Sequence, residues 1–392
     1  MAERGKLWTP SFVLLNVQFT LVTCVTALFF PFHSYLAQLG ISEQLAGLII
    51  GADALASLLM QPLAALLIHP GNARRWLFGG SLLFAAALFL EGQLTGFAPL
   101  LAARLLQGAG FSCVISALIS LIVVAIPPGM SGQAFGWTSL VRLVPYALVP
   151  PLLGALGVVP AAFGQVLQWS ALIALLPIIM MFFSRSGGDV AAAAVRPGMA
   201  GASASLRSRP VALLLVASVA LYAGYAAVFF YLQQLGAALR VSNSGVFFSL
   251  ATLLMMLARF FGGMYFDRFD KVTLSTAGFL VVAVSYALLP FASHPSFFFA
   301  LALPLGLGWG VVMPLQSALM FDRSSVAARA LNQNLLMAMM QVGFFVGPAA
   351  AGLLLAATGF AGLFAAAALA TLVAALTTAS LRGASSSSGK IE

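Results

Sequence analysis

Twelve apolar runs, each about as long as a bilayer is thick, constrain the fold of this chain more than any other feature. A membrane-spanning helix needs about 20 predominantly apolar residues to cross the hydrocarbon core. Of the 392 residues, 62% are hydrophobic and 7% are charged, which excludes an ordinary soluble domain. The pattern predicts an all-α membrane protein with 12 transmembrane helices, near residues 10–33, 44–68, 75–94, 97–126, 132–157, 161–183, 210–235, 245–266, 272–293, 296–319, 329–356 and 358–381.

A polar linker divides these runs into two sets of six. It carries four arginines and one aspartate among glycine, serine and alanine. The segment Tyr35–Gly40 recurs as Tyr231–Gly236, at the same place in each set and with five of six residues identical. Repeated halves are typical of transporters, whose substrate site lies between them near the midplane. We predict two six-helix bundles related by a pseudo-two-fold repeat, with a first half at 1–183, a cytoplasmic linker at 184–209, a second half at 210–382 and a disordered tail at 383–392.

The cations outside the apolar runs predict the orientation. With 12 spans both termini share one side of the membrane, and 14 lysines and arginines fall on that side, whereas only Arg240 falls on the other. Short loops rich in lysine and arginine stay in the cytoplasm. The termini and the linker are therefore expected to be cytoplasmic. Topology also accounts for the net charge of +9, so no nucleic-acid partner is predicted.

A few ionisable residues lie inside the runs. An arginine in hydrocarbon costs at least ~2.5 kcal/mol, so Arg104 is expected to face a watery cavity or a partner. Asp53 is expected to be the sole acid at depth, because Glu43 and Glu91 fall at the outer ends of their helices. Two interpretations remain open for Asp53: it carries a coupling proton, or it forms a static ion pair with Arg104 that locks two helices.

Arg142, roughly ten residues into the fifth run, is interpreted as a substrate contact. A guanidinium binds a carboxylate or phosphate through paired hydrogen bonds. The alternative is a structural arginine bonded to backbone carbonyls near the prolines. Three arginines against one acid leave a basic core, which favours an anionic or zwitterionic substrate over a lipophilic cation. A polar face on the first run adds further lining candidates at helical spacing, Asn16, Thr20 and Thr23.

Two motifs carry a family resemblance, Arg104-xx-Gln107-Gly108-x-Gly110 and Gly262-Gly263-Met-Tyr-Phe-Asp267-Arg268-Phe-Asp270-Lys271. They are similar to the fourth-helix motif of proton-coupled members of the major facilitator superfamily and to the loop signature after the second helix of each half. The resemblance covers nearly the whole chain. It implies a cavity lined by helices one, four, seven and ten, and so adds the substrate-binding candidates Gln107, Ser112, Tyr222, Tyr225 and Gln316.

The same resemblance implies a conformational gate. In the loop signature, an aspartate at a helix end lies near the positive N-terminus of a helix from the other half and latches the cytoplasmic side. The first half has His69 in place of the aspartate, so its latch is absent or responds to pH. The exporter Gly-Pro signature is degenerate in the fifth helix and cleaner in the eleventh, where proline permits a bend. The predicted gate comprises His69, Arg74, Arg75, Asp267, Arg268, Pro150, Pro151, Gly347 and Pro348.

Together these features predict a secondary active transporter that moves a small organic solute, such as a carboxylate metabolite or siderophore, by alternating access. The preferred mode is proton antiport efflux through Asp53 and Arg104; proton symport uptake, multidrug efflux and a transporter-like sensor are the alternatives. No enzyme activity, metal or cofactor is predicted, because His33, His69 and His294 form no ligand pair and no phosphate loop occurs. The expected partners are the substrate, protons and lipid, with the chain acting as a monomer in a bacterial inner membrane.

Overall fold

The computed structural model describes residues 7–127, 130–183, 208–265, 269–324 and 328–385. These residues form helices and connecting turns, with no strand among them. The chain divides into two compact units, residues 1–196 and 197–392. The termini, most of the linker and the latch residues Asp267 and Arg268 lie outside the described residues.

The described residues of the first unit form eight α-helices in chain order. They are α1 (Pro10–Leu28), α2 (Phe32–Gln38), α3 (Glu43–Leu67), α4 (Ala73–Glu91), α5 (Phe97–Ala125), α6 (Ser131–Val141), α7 (Val144–Ala155) and α8 (Phe163–Met181).

Two of the apolar runs in the first unit are broken rather than continuous helices. The run at 10–33 ends as α1 at Leu28 and resumes as α2 after Pro31, which precedes the first helical residue. The run at 132–157 breaks between α6 and α7 at Arg142 and Leu143, just before Pro145. Proline lacks a backbone N–H and disfavours helical geometry in the residue before it, so each break falls where the sequence weakens the helix.

The second unit contains α9 (Arg209–Ala238), α10 (Gly245–Tyr265), α11 (Lys271–Leu288), α12 (Pro295–Asp322) and α13 (Arg329–Ala379). The last of these is two helices joined at Gly359, whose φ of 69° and ψ of −167° are not helical. Only glycine adopts this backbone conformation without strain. The break at Gly359 therefore falls two residues beyond the boundary predicted between the two final runs, at residue 357.

The described residues include 11 helices that are long and apolar enough to cross a membrane, the last of which contains both helices around Gly359. The prediction of an all-α membrane protein with two six-helix halves is confirmed.

Close helix contacts recur at equivalent places in the two units. A Cβ atom on Gly108 of α5 would lie 2.1 Å from the carbonyl oxygen of Asp53 on α3. In the second unit, a Cβ atom on Gly306 of α12 would lie 2.2 Å from the carbonyl oxygen of Ala251 on α10. Glycine permits this approach because it has no side chain, and such contacts hold membrane helices together. Gly306 and Ala251 lie at the same sequence offset from Gly108 and Asp53, so the two units share one packing scheme.

Candidate functional site

The centre of the candidate site is the ion pair between Arg104 of α5 and Asp53 of α3. The contact at Gly108 brings the two helix backbones together one turn away from Arg104. As a result, Nη2 of Arg104 lies 3.0 Å from Oδ1 of Asp53. The arginine side chain is 1% exposed, whereas that of Asp53 is 34% exposed. The cation is thus enclosed in the helix bundle, and the carboxylate is the accessible member of the pair.

Further contacts satisfy the Arg104 guanidinium. Its Nη2 donates to the carbonyl of Ile50 at 3.1 Å, and its Nε donates to the carbonyl of Ile49 at 3.4 Å. Its Nη1 donates to the side-chain oxygen of Gln107, one turn along α5. The guanidinium also lies over two rings, with its central carbon 4.3 Å from the centroid of Phe29 and 5.0 Å from that of Phe32. Those rings flank the break between α1 and α2.

Glu91 is a member of this cluster that the sequence analysis placed outside the site. It is the last residue of α4, as expected, but its side chain is 0% exposed. Its Oε2 lies 4.0 Å from Nη1 of Arg104, and within the described parts of the chain neither carboxyl oxygen has a hydrogen-bond partner. The expectation that Asp53 is the sole acid at depth is therefore wrong.

The burial of Glu91 follows from a tight contact at the end of α4. A Cβ atom on Gly92 would lie 2.3 Å from the carbonyl oxygen of Gly164 on α8, so the two helix ends touch. The hydroxyl of Tyr35 on α2 donates to the backbone carbonyl of Glu91 at 3.4 Å and covers the same end. Gly92 and Gly164 are visible in the sequence, but a single sequence cannot show which glycines of different helices contact each other.

Arg142 lies at a helix break that the sequence analysis did not predict, and its role as a substrate contact stays a prediction. It caps the end of α6 at the break, rather than lying within one continuous helix, and its side chain is exposed. Its guanidinium carbon lies 5.0 Å from the ring centroid of Phe19 on α1. Tyr146 on α7 interacts electrostatically with both Arg142 and Asp53, and its hydroxyl is 3.0 Å from that of Thr26. Tyr146 therefore lies near both the predicted substrate residue and the ion pair, a position that sequence reasoning missed.

The predicted lining residues of α1 bond mainly to their own helix. Asn16 donates to the carbonyl of Phe12 at 2.8 Å, and Thr20 donates to that of Asn16 at 2.9 Å. The hydroxyl of Thr23 lies 3.0 Å from the carbonyl of Phe19. Such bonds are common for polar side chains in membrane helices. The amide oxygen of Asn16 is buried without a partner in the described structure, so it retains an unused acceptor.

The remaining lining candidates are mostly enclosed. Ser112 on α5 is 5% exposed, and Gln107 bonds to Arg104. In the second unit, Gln316 is 2% exposed and donates to the hydroxyl of Ser275 at 3.3 Å. Their role as substrate contacts stays a prediction.

Aromatic rings surround the predicted tyrosines of α9. The ring centroid of Tyr225 lies 4.7 Å from that of Trp309 on α12 and 6.0 Å from that of Phe344 on α13. The ring of Tyr222 is partly buried and lies 5.7 Å from that of Phe344. Trp309 is fully buried and donates its indole N–H to the hydroxyl of Tyr286 at 3.1 Å. The inner part of this group is core, and Tyr222 lies at its margin.

The predicted gate residues are only partly described. His69 is exposed in the turn before α4, where its backbone N–H donates to the side chain of Asn72 at 2.8 Å. Arg74 and Arg75 lie in the first turn of α4. Pro150 and Pro151 lie within α7. Asp267 and Arg268 fall outside the described residues, so the latch of the second half stays a prediction.

The Gly-Pro element of α13 lies at a close helix contact. A Cβ atom on Gly347 would lie 2.4 Å from the carbonyl oxygen of Ala223 on α9. The carbonyl of Pro348 accepts a hydrogen bond from the hydroxyl of Tyr231 at 3.0 Å. This part of the predicted gate is therefore anchored within its own unit.

The second unit has apolar residues where the first has its polar cluster. The offset that relates Gly108 to Gly306 also gives the counterparts of the polar cluster. They are Ala251 for Asp53, Leu289 for Glu91, Ala302 for Arg104 and Leu305 for Gln107. All four of these counterparts are buried. The same helix packing is thus achieved without charge, so the ion pair is not a requirement of the packing scheme.

The described ranges contain no group of three or more histidine, cysteine or acidic residues that could hold a metal ion. The cluster around Arg104 brings together a buried guanidinium and two carboxyl groups. Such a set can exchange protons and change ion-pair partners.

The chain is similar in sequence to a known family and in structure to known transporters. The sequence model of the Major Facilitator Superfamily matches residues 14–331 and 241–390. Among solved structures, the nucleoside transporter NupG is 14% identical, with a TM-score of 0.79 over 95% of this chain and 99% of that one. A variant of the peptide transporter POT in complex with sulfate is 17% identical, with a TM-score of 0.77 over 95% of this chain and 94% of that one.

A third similar structure is a bacterial homolog of the human lysosomal transporter Spinster, in an inward-facing and unoccupied conformation. It is 15% identical, with a TM-score of 0.71 over 95% of each chain. No curated protein matches the sequence. At these identities the structural likeness establishes the fold alone.

Proposed function

Because this chain belongs to the Major Facilitator Superfamily, we propose that it is a secondary active transporter that exports a small anionic or zwitterionic organic solute by proton antiport. Asp53 and Arg104 would couple the proton, and Arg142 would bind the acidic group of a solute such as a carboxylate metabolite or siderophore. The two halves would alternate the access of the site between the two sides of the membrane.

The observation that carries the proposal is the buried ion pair with an accessible acid. Arg104 is enclosed, whereas the Asp53 side chain is 34% exposed. A carboxylate that can meet water beside a fixed cation can gain or lose a proton, and the arginine then gains or loses its partner. The apolar counterparts Ala251 and Ala302 support a functional role, because an equivalent helix contact forms without any charge.

The charge of the solute is inferred from Arg142. Its guanidinium is exposed at a helix break inside an apolar segment, and an arginine in that environment needs water or an anion. Tyr146 lies near both this residue and Asp53. An anion at Arg142 would then be sensed by the acid that carries the proton, which is what exchange of solute for proton requires.

The charge class can be tested by thermal unfolding of the detergent-purified protein with panels of organic anions, zwitterions, neutral sugars and lipophilic cations. A ligand that binds the folded state raises the melting temperature. We expect stabilisation by anions that is lost in Arg142→Ala. Arg240→Asn is the matched control, because it removes a cation outside the apolar runs and asparagine tolerates the φ of 55° found there. Stabilisation by cations or hydrophobic drugs alone would instead support multidrug efflux.

Coupling can be tested with the stabilising anion in proteoliposomes under imposed proton gradients of both signs. Antiport moves the anion against the proton flow, whereas symport uptake moves it with the flow. We expect Asp53→Asn to abolish gradient-driven transport while preserving exchange of solute for solute. Undiminished pumping by the variant would remove Asp53 from the mechanism. Flux that does not saturate would indicate a pore, and absence of flux despite binding would indicate a sensor.

The proposal extends to the setting of the chain. A monomer in a bacterial inner membrane, with halves at 1–183 and 210–382 and a cytoplasmic linker between them, agrees with the distribution of lysine and arginine. Reporter fusions after residues 92–96 and within the linker test this topology. We expect only the linker fusion to be cytoplasmic, and the opposite pattern would reverse the assigned orientation.

A further inference from the structure

Glu91 is a buried acid that the proposed coupling pair does not use. Its side chain is 0% exposed, and in the described structure neither carboxyl oxygen receives a hydrogen bond. An ionised carboxylate needs donors or an opposite charge to be stable away from water. Arg104 is the cation beside it, at 4.0 Å, beyond hydrogen-bond distance.

Arg104 is shared unequally between two acids. It makes a 3.0 Å contact with Asp53 and donates to two carbonyls and one amide oxygen, so four of its five N–H groups have partners other than Glu91. If both acids were ionised, the cluster would carry a net negative charge in an enclosed site. One proton on the cluster balances its charge, and the acid without hydrogen-bond donors is the one that gains most from holding it.

Other groups that face Glu91 do not change this balance. Asp53 from α3 adds a second negative charge, and Tyr35 from α2 bonds to the Glu91 backbone carbonyl rather than to its carboxyl group. His33, also on α2, pairs with Glu43 at 2.6 Å. The sequence of α8 contains no charged or titratable residue. The competition is therefore between two carboxyl groups for one guanidinium.

We propose that Glu91 is a second proton-binding site, which holds a proton while Arg104 pairs with Asp53 and gives it up when Arg104 turns to Glu91. In the exchange, one O–H bond breaks at Glu91 and one forms at Asp53. The guanidinium changes partner, and the total charge of the cluster is constant. Asp53, which is accessible, then exchanges that proton with water. This inference deepens the proposed proton coupling and rests on it for its transport role.

The second unit indicates that the fold does not require an acid at this place. Leu289, at the equivalent position, is fully buried at the end of α11. A purely structural residue at the end of α4 could therefore be apolar. The acid and the arginine occur together in the first unit and are absent together from the equivalent positions of the second.

Infrared spectroscopy of the purified protein in detergent tests the site without substrate or gradient. The probe is the C=O stretching band of a protonated carboxyl group at neutral pH, recorded with and without ¹³C-labelled glutamate. The sequence has four glutamates, Glu3, Glu43, Glu91 and Glu392. We expect a band that shifts with the label, is lost in Glu91→Gln and is retained in the control Glu43→Gln.

The decisive variant is Asp53→Asn. With its preferred partner removed, Arg104 becomes free to pair with Glu91, so the glutamate band at neutral pH is expected to disappear. A band that survives Asp53→Asn unchanged, or the absence of any label-shifted band in the wild type, would overturn the proposal. If Glu91→Gln does not fold, the isotope shift and the Asp53→Asn variant still decide the question. A responsive band in a protein without proton-driven flux would refute the proposed function and leave the Glu91 site standing.

Discussion

Removal of both acids beside Arg104 should destabilise the protein by more than the two single removals together. Glu91→Gln replaces a group inferred to be neutral by another neutral group, so we expect a change within about 0.5 kcal/mol. Asp53→Asn removes the 3.0 Å partner of Arg104, but Glu91 can replace it, and we expect a loss of about 1 kcal/mol. The double variant leaves a 1% exposed cation with no acid, and a loss of about 3–5 kcal/mol is expected for an uncompensated buried charge. The resulting coupling is about 2–4 kcal/mol, which is the loss in the double variant less the losses in the two single variants.

The measurement is reversible unfolding in mixed micelles with increasing sodium dodecyl sulfate at pH 7, followed by tryptophan fluorescence. The control cycle combines Asp53→Asn with Glu43→Gln, whose acid pairs with His33 instead of Arg104. That cycle should be additive. If the Asp53–Glu91 cycle is also additive, or if Asp53→Asn alone has the full effect, then Glu91 does not compete for Arg104 and the reasoning fails.

Three further predictions concern packing, capping and a buried hydrogen bond. Gly108→Ala would place a Cβ atom 2.1 Å from a backbone oxygen of α3, so we expect a loss of about 1–3 kcal/mol in unfolding free energy. The control is Gly79→Ala, which should leave the unfolding free energy unchanged because no atom of a neighbouring helix lies within 4 Å of the added Cβ. Asp270 caps the N-terminus of α11. It accepts hydrogen bonds from the hydroxyl and from the backbone N–H of Thr273, and these bonds lower the pKa of Asp270. Because the folded pKa lies below the unfolded value, the stabilisation is present above about pH 3.9 and is lost as pH falls through the folded pKa. Asp270→Ala should thus cost about 1 kcal/mol at pH 7 and less once the wild-type cap is protonated. An effect independent of pH would contradict this. Tyr286→Phe removes the acceptor of the Trp309 indole and should cost about 1–3 kcal/mol with a change in tryptophan emission, whereas an unchanged melting curve would count against it.

Apolar runs allowed the helices to be predicted from sequence, because a bilayer requires their length and composition. The same reasoning placed the boundary between the last two helices at residue 357, two residues before the break at Gly359. It missed the breaks at Pro31 and at Arg142, since apolar periodicity continues across a local interruption of the backbone. Proline near each break was visible, but proline is also tolerated inside membrane helices, as Pro150 shows.

The pairing of Asp53 with Arg104 could be suggested from sequence because charges are rare in these segments. The burial of Glu91 could not, because it depends on the contact between Gly92 and Gly164, two glycines of different helices. Position at the end of a helix usually indicates exposure, and here a tertiary contact reverses that expectation. Tyr146 was missed for the same reason, since its neighbours come from other helices.

The contacts of Arg104 with the rings of Phe29 and Phe32 limit how far a change in ion pairing can move the backbone of α1 and α2. Both rings contact Arg104, and they belong to residues on opposite sides of the break after α1. Each contact between a desolvated cation and a ring is worth about 0.5–2 kcal/mol. A guanidinium that shifts toward either acid therefore changes its contacts with a backbone segment that is already interrupted at Pro31. The two ring contacts together contribute only a few kcal/mol to such a change. We therefore expect a change of ion-pair partner to alter the angle between α1 and α2, which are already separate segments, rather than to unfold either helix.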